Sequence, residues 1–355
     1  MSIINLKNID FTKQPSFFGE KLGLQRYDRF RHEKIFNLFK QQLGFYWRPE
    51  EINVSKDKGD YQSMTDHEKF IFTKNLGYQI LLDSVQSRGI SHLLEDCSNP
   101  EIEAFAKTWE FFETLHSYSY TYIIKNVYSN PTELFDTILK DPEIIKRTTS
   151  VTKYYDALIE GIPGDSEYNK KKRLYLTLMS INILEGIRFY VSFACSYCFA
   201  ENKKMEGNAK IIELINRDEN LHMGFTSLLL RILAEDKSEG FKKVVEDCED
   251  LVIQMFKDAA DEEIEWANYL FKDGSMLGLN AEILTQYMKW LTNNRMKMIK
   301  LEPIFDKVQN PISWISKWTE SKSTAVAPQE TEISSYTVGN FKHDLEDENF
   351  EDFKL

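Results

Sequence analysis

The sequence predicts an all-α fold, a bundle of long helices, and three observations carry that reading. The 355 residues contain no convincing run of strand-type alternation. Apolar residues recur instead at helical spacing through segments of 20 to 34 residues, long against an average helix of about 11 or 12. The prolines punctuate these segments without interrupting them. Pro15, Pro49, Pro100, Pro131, Pro142, Pro163, Pro303, Pro311 and Pro328 leave the stretch between 163 and 303 free of helix breakers.

The elements follow in order. A first helix is expected over 26–43. Thr65 and Glu68 have the spacing of a capping box and open a helix over 66–88, which Gly89 can end. Asn99-Pro100 opens 100–128, with a capping side chain followed by a proline that needs no donor. Asn130-Pro131 has the same form, and Asp141-Pro142 opens 142–160, before Gly161. Further helices are expected over 169–202, 208–235, 239–272 and 280–300, with Gly274 between the last two. Beyond about 303 the helical repeat is lost, and SKSTAVAPQETEISSY has linker composition. From Gln329 to Leu355 there are eight acidic residues and two lysines, an acidic tail.

Composition narrows the function classes. Apolar residues make up 42% and charged residues 28%, ordinary for a globular chain. A net charge of -12 argues against gripping nucleic acid phosphates. The N-terminus MSIINLKNIDF lacks a basic region followed by a long apolar run, so no secretory signal is expected. The segment MSINILEGIRFYVSFACSYCFA is apolar, yet Glu185 and Arg188 argue against a membrane span. Cys195 and Cys198 form a CxxC inside an apolar helical run with no second CxxC, which favours small buried residues over a zinc or redox site. Cytoplasmic localisation is the expectation.

The chemistry concentrates in two Glu-x-x-His pairs, Glu113/His116 and Glu219/His222. In each, carboxylate and imidazole share one helix face. Those faces are otherwise apolar: Ala106 and Trp109 precede the first pair, Ile212 and Ile215 the second. Asp83 shares a face with Leu76 and Ile80, and Glu185 with Leu178, Ile181, Phe189 and Phe193. An unpaired charge on a buried face costs several kcal/mol, so each demands a partner. Arg188 is the main cation available to them and cannot neutralise all four. Helical bundles that hold two metal ions use this donor pattern, one carboxylate from each of two helices and a Glu-x-x-His from each of two others. Asp83 stands here for one of the usual glutamates. Four carboxylates balance two divalent cations, and the two imidazoles complete a nitrogen and oxygen set suited to iron or manganese.

A tyrosine belongs with them. Tyr120 lies four residues after His116, on the same face; Tyr118 is rotated by about 200°. Phe189, Phe193 and Ile215 can form a dry wall around the Tyr120 phenol. A metal pair that activates O2 beside it would make and preserve a tyrosyl radical; the plainer alternative is a hydrogen-bond donor to a ligand carboxylate.

At these residues the chain resembles the small (beta, radical-generating) subunit of class I ribonucleotide reductase, closest to class Ia. The likeness runs from about Phe17 through FFGE, YDRFRHEKIF, FYWRPEEINVSKD, YQILLDSVQSRG, ETLHSYSYTYI, LEGIRFYVSFACS, MEGNAKIIELINRDENLH, LFKDGSMLGLN and VAPQETEISSYTVG. It implies a ferritin-like bundle over 1–302, with additional helices, and a linker with a flexible acidic docking tail over 303–355. It also implies an oxo-bridged pair of Fe ions, with Mn possible, held by Asp83, Glu113, His116, Glu185, Glu219 and His222. Tyr120 is then the stable radical, and Trp47 the electron relay, linked through Asp218 to His116. In the tail, Tyr336 carries radical equivalents to the large subunit, and Glu330 contributes to that coupling. The implied partners are a second copy, in a homodimer, and the large (alpha) subunit, where ribonucleotides, usually diphosphates, are reduced. The chain has no P-loop or dinucleotide fingerprint of its own.

Phe112 and Tyr118 stand where Ser and Arg are common in the family, and the IPGDSEYNKKK connection is shorter than in some close relatives. A stand-alone di-iron oxygenase or oxidase on the same bundle, and a ferritin-like metal store, are the competing readings. The first needs a substrate cavity near the metals, the second an assembly cage.

Overall fold

Helix starts follow the capping chemistry written in the sequence. In the computed structural model, which describes residues 5–7 and 9–319, the helices are α1 (Glu33–Gly44), α2 (Asp57–Ser63), α3 (Asp66–Gly89), α4 (Pro100–Val127), α5 (Pro131–Ile138) and α6 (Pro142–Glu160). They continue as α7 (Glu167–Ile183), α8 (Tyr190–Glu201), α9 (Glu206–Glu235), α10 (Lys242–Leu270), α11 (Ala281–Met298) and α12 (Ser316–Thr319). Thr65 Oγ1 accepts from the Glu68 N–H at 3.2 Å, while Glu68 Oε2 accepts from the Thr65 N–H at 2.8 Å, a complete capping box. Asn99 caps α4 through the Ile102 N–H at 2.9 Å, and Asp141 caps α6 through the N–H groups of Glu143 and Ile144.

Three features differ from the sequence expectation. The first helix begins at Glu33, not near 26. The Arg31 N–H donates to Glu101 Oε1 at 2.7 Å and its guanidinium to Glu239 Oε1 at 2.7 Å, which holds this stretch in a non-helical path. The run expected as one helix over 169–202 contains a π-turn at Leu184–Arg188 between α7 and α8. Short helices α2, α5 and α12 also form, α5 from the start signal at Asn130-Pro131. Residues 303–319, which the sequence grouped with the tail, lie against the bundle. Ile312 and Ile315 are buried, and the Trp318 ring stacks on Tyr197 with centroids 5.0 Å apart.

Helices α3, α4, α9 and the α7–α8 pair form the inner layer. On its outside α1 packs against α4 and α9, α6 against α3 and α7, and α10 against α7 with α11 beside it. The described residues contain only isolated β-bridges, Phe17 with Cys97 and Met276 with Leu279. The apolar run Glu167–Glu201 meets the length and composition of a membrane span, but its most apolar window is entirely buried within the bundle.

The start of α9 is held from outside. Met205, in the left-handed region at φ 54, supplies no side-chain cap. Instead Asp60 Oδ2 accepts from the Met205 N–H at 3.0 Å, and Asp57 accepts from Gly207 at 3.2 Å and Asn208 at 2.6 Å. This satisfies N–H groups that the helix itself cannot. The approach is so close that a Cβ on Gly207 would lie 2.7 Å from the Asn53 carbonyl oxygen.

Burial pushes the Asp57 carboxyl up to about 6, despite those two backbone hydrogen bonds. The folded chain therefore binds this proton more tightly than the unfolded one. The stability contributed grows as pH falls below about 6 and is lost as pH rises through it. Asp57→Ala is expected to destabilise the chain by about 1–3 kcal/mol in urea unfolding. Asp57→Asn, which keeps an acceptor, should lose less. Relative to Asp57→Asn, the parent should gain stability as the pH is lowered through about 6; a flat difference would contradict the assignment.

Candidate metal centre

Four segments deliver the predicted donors to one place. Asp83 comes from the middle of α3, Glu113 and His116 from one face of α4, and Glu219 and His222 from one face of α9. Glu185 comes from the π-turn, whose wider backbone distinguishes it from the others. All six side chains have no solvent exposure.

The donors fall into two overlapping groups. His116 Nδ1 lies 4.0 Å from Asp83 Oδ2, 3.7 Å from Glu113 Oε2 and 3.1 Å from Glu219 Oε1. His222 Nδ1 lies 3.1 Å from Glu113 Oε1, 3.9 Å from Glu185 Oε2 and 3.0 Å from Glu219 Oε2. Within each group the donor atoms lie within 4.8 Å of one another, and Glu113 and Glu219 belong to both. Each shared glutamate turns one oxygen toward each imidazole. Such an arrangement could hold two neighbouring cations, with Glu113 and Glu219 within reach of both.

The polar accounting fits cations. Both oxygens of Asp83, Glu113 Oε2, His116 Nδ1, Glu185 Oε2, Glu219 Oε1 and Tyr120 Oη are buried without a hydrogen-bond partner. Each would cost about 1–3 kcal/mol if left so. Among the described residues no lysine or arginine pairs with the four carboxylates. Arg188 turns away, to Glu262 on α10 and to Ser150 Oγ at 2.8 Å. The alternative of separately satisfied ion pairs fails for lack of cations. The donors themselves, carboxylate oxygens and imidazole nitrogens, are a set that holds iron, manganese or similar divalent ions.

Electrostatics show the same frustration. Burial, and then the charge of Glu113, pushes Asp83 well above the usual carboxylate range. Glu185 is raised by burial and Glu219, and Glu219 is pushed up to about 8 by burial and Glu113. Burial also works against Glu113, but hydrogen bonding and charge from His116 and His222 outweigh it and bring Glu113 down to about 2. The site holds more negative charge than its two imidazoles can balance.

Groups behind the donors fix their orientation. The Trp109 indole donates to Glu113 Oε1 at 2.8 Å. The Gln86 amide donates to Glu185 Oε1. Gln42 Nε2 lies 2.9 Å from His222 Nε2. On the other side His116 Nε2 lies 3.2 Å from Asp218 Oδ2, which accepts from the Trp47 indole at 2.8 Å. Arg217 reaches the second oxygen of Asp218 at 3.2 Å. The expected Trp47–Asp218–His116 contact is therefore present. Gln42 and Gln86 were not anticipated, although a polar residue at helical spacing on a buried face is a readable signal: Gln86 lies three residues after Asp83.

Tyr120 is fully buried. Burial raises its phenol well above the usual value, followed by the Asp83 charge. Tyr118 is 47% exposed and donates to Glu50 on the surface. Phe112 is buried, and so are Phe189, Phe193 and Ile215, with Phe189 and Phe193 stacked at 5.6 Å. Tyr336 and Glu330 lie outside the described residues. The cysteines are inert in this setting: Cys195 and Cys198 are buried, and burial raises the Cys198 thiol to about 12.

Comparison with known proteins reaches the same place. Residues 25–311 match the model of the family described as "Ribonucleotide reductase, small chain". The chain is 46% identical to the ribonucleoside-diphosphate reductase subunit beta of Haemophilus influenzae, covering 98% of this chain and 97% of that one. It is 44% identical to the ribonucleoside-diphosphate reductase 1 subunit beta of Escherichia coli O157:H7, covering 98% and 97%. Among solved structures it is similar to the ribonucleotide reductase R2 subunit from Clostridium botulinum, with a TM-score of 0.82 and 26% identity over 90% of this chain and 98% of that one. A buried donor set that no lysine or arginine among the described residues relieves and a near-full-length match to proteins of one kind have one common explanation: this chain belongs to the small-chain family of ribonucleotide reductase, an oxidoreductase family.

Proposed function

We propose that the chain is the radical-generating beta subunit of a ribonucleoside-diphosphate reductase, active with a large subunit. The observation that carries this is the overlap of the two donor groups through Glu113 and Glu219, beside the buried phenol of Tyr120. Asp83, Glu113, His116, Glu185, Glu219 and His222 hold two cations, iron by resemblance to class Ia; manganese suits the same donors. Bound there, such cations would supply O2-reducing chemistry beside Tyr120.

The chain's own residues do the rest. Tyr120 gives up one electron and its phenolic proton, and Asp83, the strongest charged influence on that phenol, takes the proton. Phe189, Phe193 and Ile215 exclude water from the radical. Trp47 and Asp218 carry an electron toward His116 during assembly, since an indole N–H on a carboxylate can lose its proton as it is oxidised. Tyr336, with Glu330, passes radical equivalents to the large subunit, where ribonucleotides are reduced. The acidic tail docks there.

A homodimer and cytoplasmic localisation complete the proposal. Phe111 and Tyr118, seven residues apart on one face of α4, are 50% and 47% exposed, and the exposed Tyr46 ring lies 6.1 Å from that of Phe111. A second copy would cover this apolar face.

Loading with Fe(II) without oxygen, then exposure to O2, should give a tyrosyl doublet in electron paramagnetic resonance. The doublet should vanish in Tyr120→Phe and persist in Tyr118→Phe; the reverse pattern would move the radical to Tyr118. Tyr336→Phe should keep the doublet while turnover with the large subunit falls to background. Deleting the residues after 330 should weaken association, and normal turnover in either variant would sink the partnership.

A further inference from the structure

Glu185 is the one donor carried on a π-turn, and its support runs through α3 back to α6, a helix that contributes no donor. Its Oε1 receives the Gln86 amide from α3. Gln86 Oε1 in turn accepts from the Tyr155 hydroxyl of α6 at 2.6 Å. Gln86 is fully buried and Tyr155 only 3% exposed, so neither can exchange its partner for water. Tyr155 reaches this depth because position 89 is glycine: a Cβ there would lie 2.3 Å from the phenol ring.

From this we infer that Tyr155 is a positioning residue for the second cation, acting through Gln86 on Glu185. The inference rests on the metal reading above and adds a determinant on α6. A primary amide has a donor end and an acceptor end, and only the donor end is attracted to a carboxylate. Gln86 by itself can turn either end toward Glu185. The Tyr155 O–H removes the choice by occupying the amide oxygen. Burial, and then the charge of Glu185, keeps the phenol protonated and so able to donate. With Oε1 held to α3, Glu185 is left with Oε2 free of hydrogen bonds, 3.9 Å from His222 Nδ1 and facing the second cation position. Glu113 gets the equivalent support from Trp109 on its own helix; Glu185, on a distorted turn, takes it from two other helices. Neither Gln86 nor Tyr155 is hydrogen-bonded to Asp83 or His116, so the direct influence of this pair falls on the position at Glu185.

The test is Mn(II) binding to the full chain, by equilibrium titration with anomalous diffraction to assign each position, for the parent, Tyr155→Phe, Gln86→Leu and the double variant. The parent should bind two ions. Tyr155→Phe should weaken the position at Glu185 and His222 by about 10-fold or more. The position at Asp83 and His116 should stay within about twofold of the parent, as expected when the donor lost serves one carboxylate only. The double variant should bind no more weakly than Gln86→Leu, because Tyr155 acts only through the amide. Unchanged affinities in Tyr155→Phe, equal loss at both positions, or losses that add in the double variant would each overturn the inference. A parent that takes up no Mn(II) would overturn the metal reading itself, a result distinct from two bound ions that ignore Tyr155.

Discussion

Four carboxylates stand fully buried with no lysine or arginine paired to them among the described residues, and the rest of the structure is arranged around that constraint. Two imidazoles supply at most partial compensation, and the lifted proton affinities of Asp83, Glu185 and Glu219 measure the shortfall. A fold built for stability alone would replace such a cluster with apolar residues at little cost or some gain. Its presence in the middle of α3, α4, α9 and the π-turn therefore marks the centre as functional.

The bundle meets the constraint by making the surrounding helices long and well anchored. Side-chain caps at Thr65, Asn99 and Asp141 fix where α3, α4 and α6 begin, and so fix the rotation at which each presents its face. The start of α9 has no cap of its own and is held by Asp57 and Asp60 from α2. A shift of one residue along α3, α4 or α9 would turn its donor by about 100° and break up the cluster. Capping here sets register as much as stability.

Behind the donors the support is asymmetric. His116 leans on a carboxyl group, Asp218, which is tied to Trp47 and to Arg217, whose guanidinium lies over the Phe45 ring. His222 leans on the neutral amide of Gln42, and Glu185 on that of Gln86. One side of the centre is thus wired through an ionisable, oxidisable chain, and the other is held by groups that neither titrate nor oxidise readily.

The sequence by itself determined the helical class, most helix starts, which six carboxylate and imidazole side chains share buried faces, and that Tyr120 rather than Tyr118 turns inward. Each depends on helical phase or capping, and both are local: backbone hydrogen bonds span four residues, so a face can be counted along the chain. The tertiary structure decided what the counting cannot reach. Arg188 shares a turn with Glu185 yet pairs with Glu262, because α10 offers a carboxylate at the bundle surface that needs no desolvation of a second charge. The π-turn, the Asp57 cap on α9, the seating of Ile312 and Ile315, and the run from Tyr155 through Gln86 all join residues far apart in sequence. Their pairing follows from how the helices pack, and nothing within one helix specifies the polar group that a neighbouring helix will bring against it.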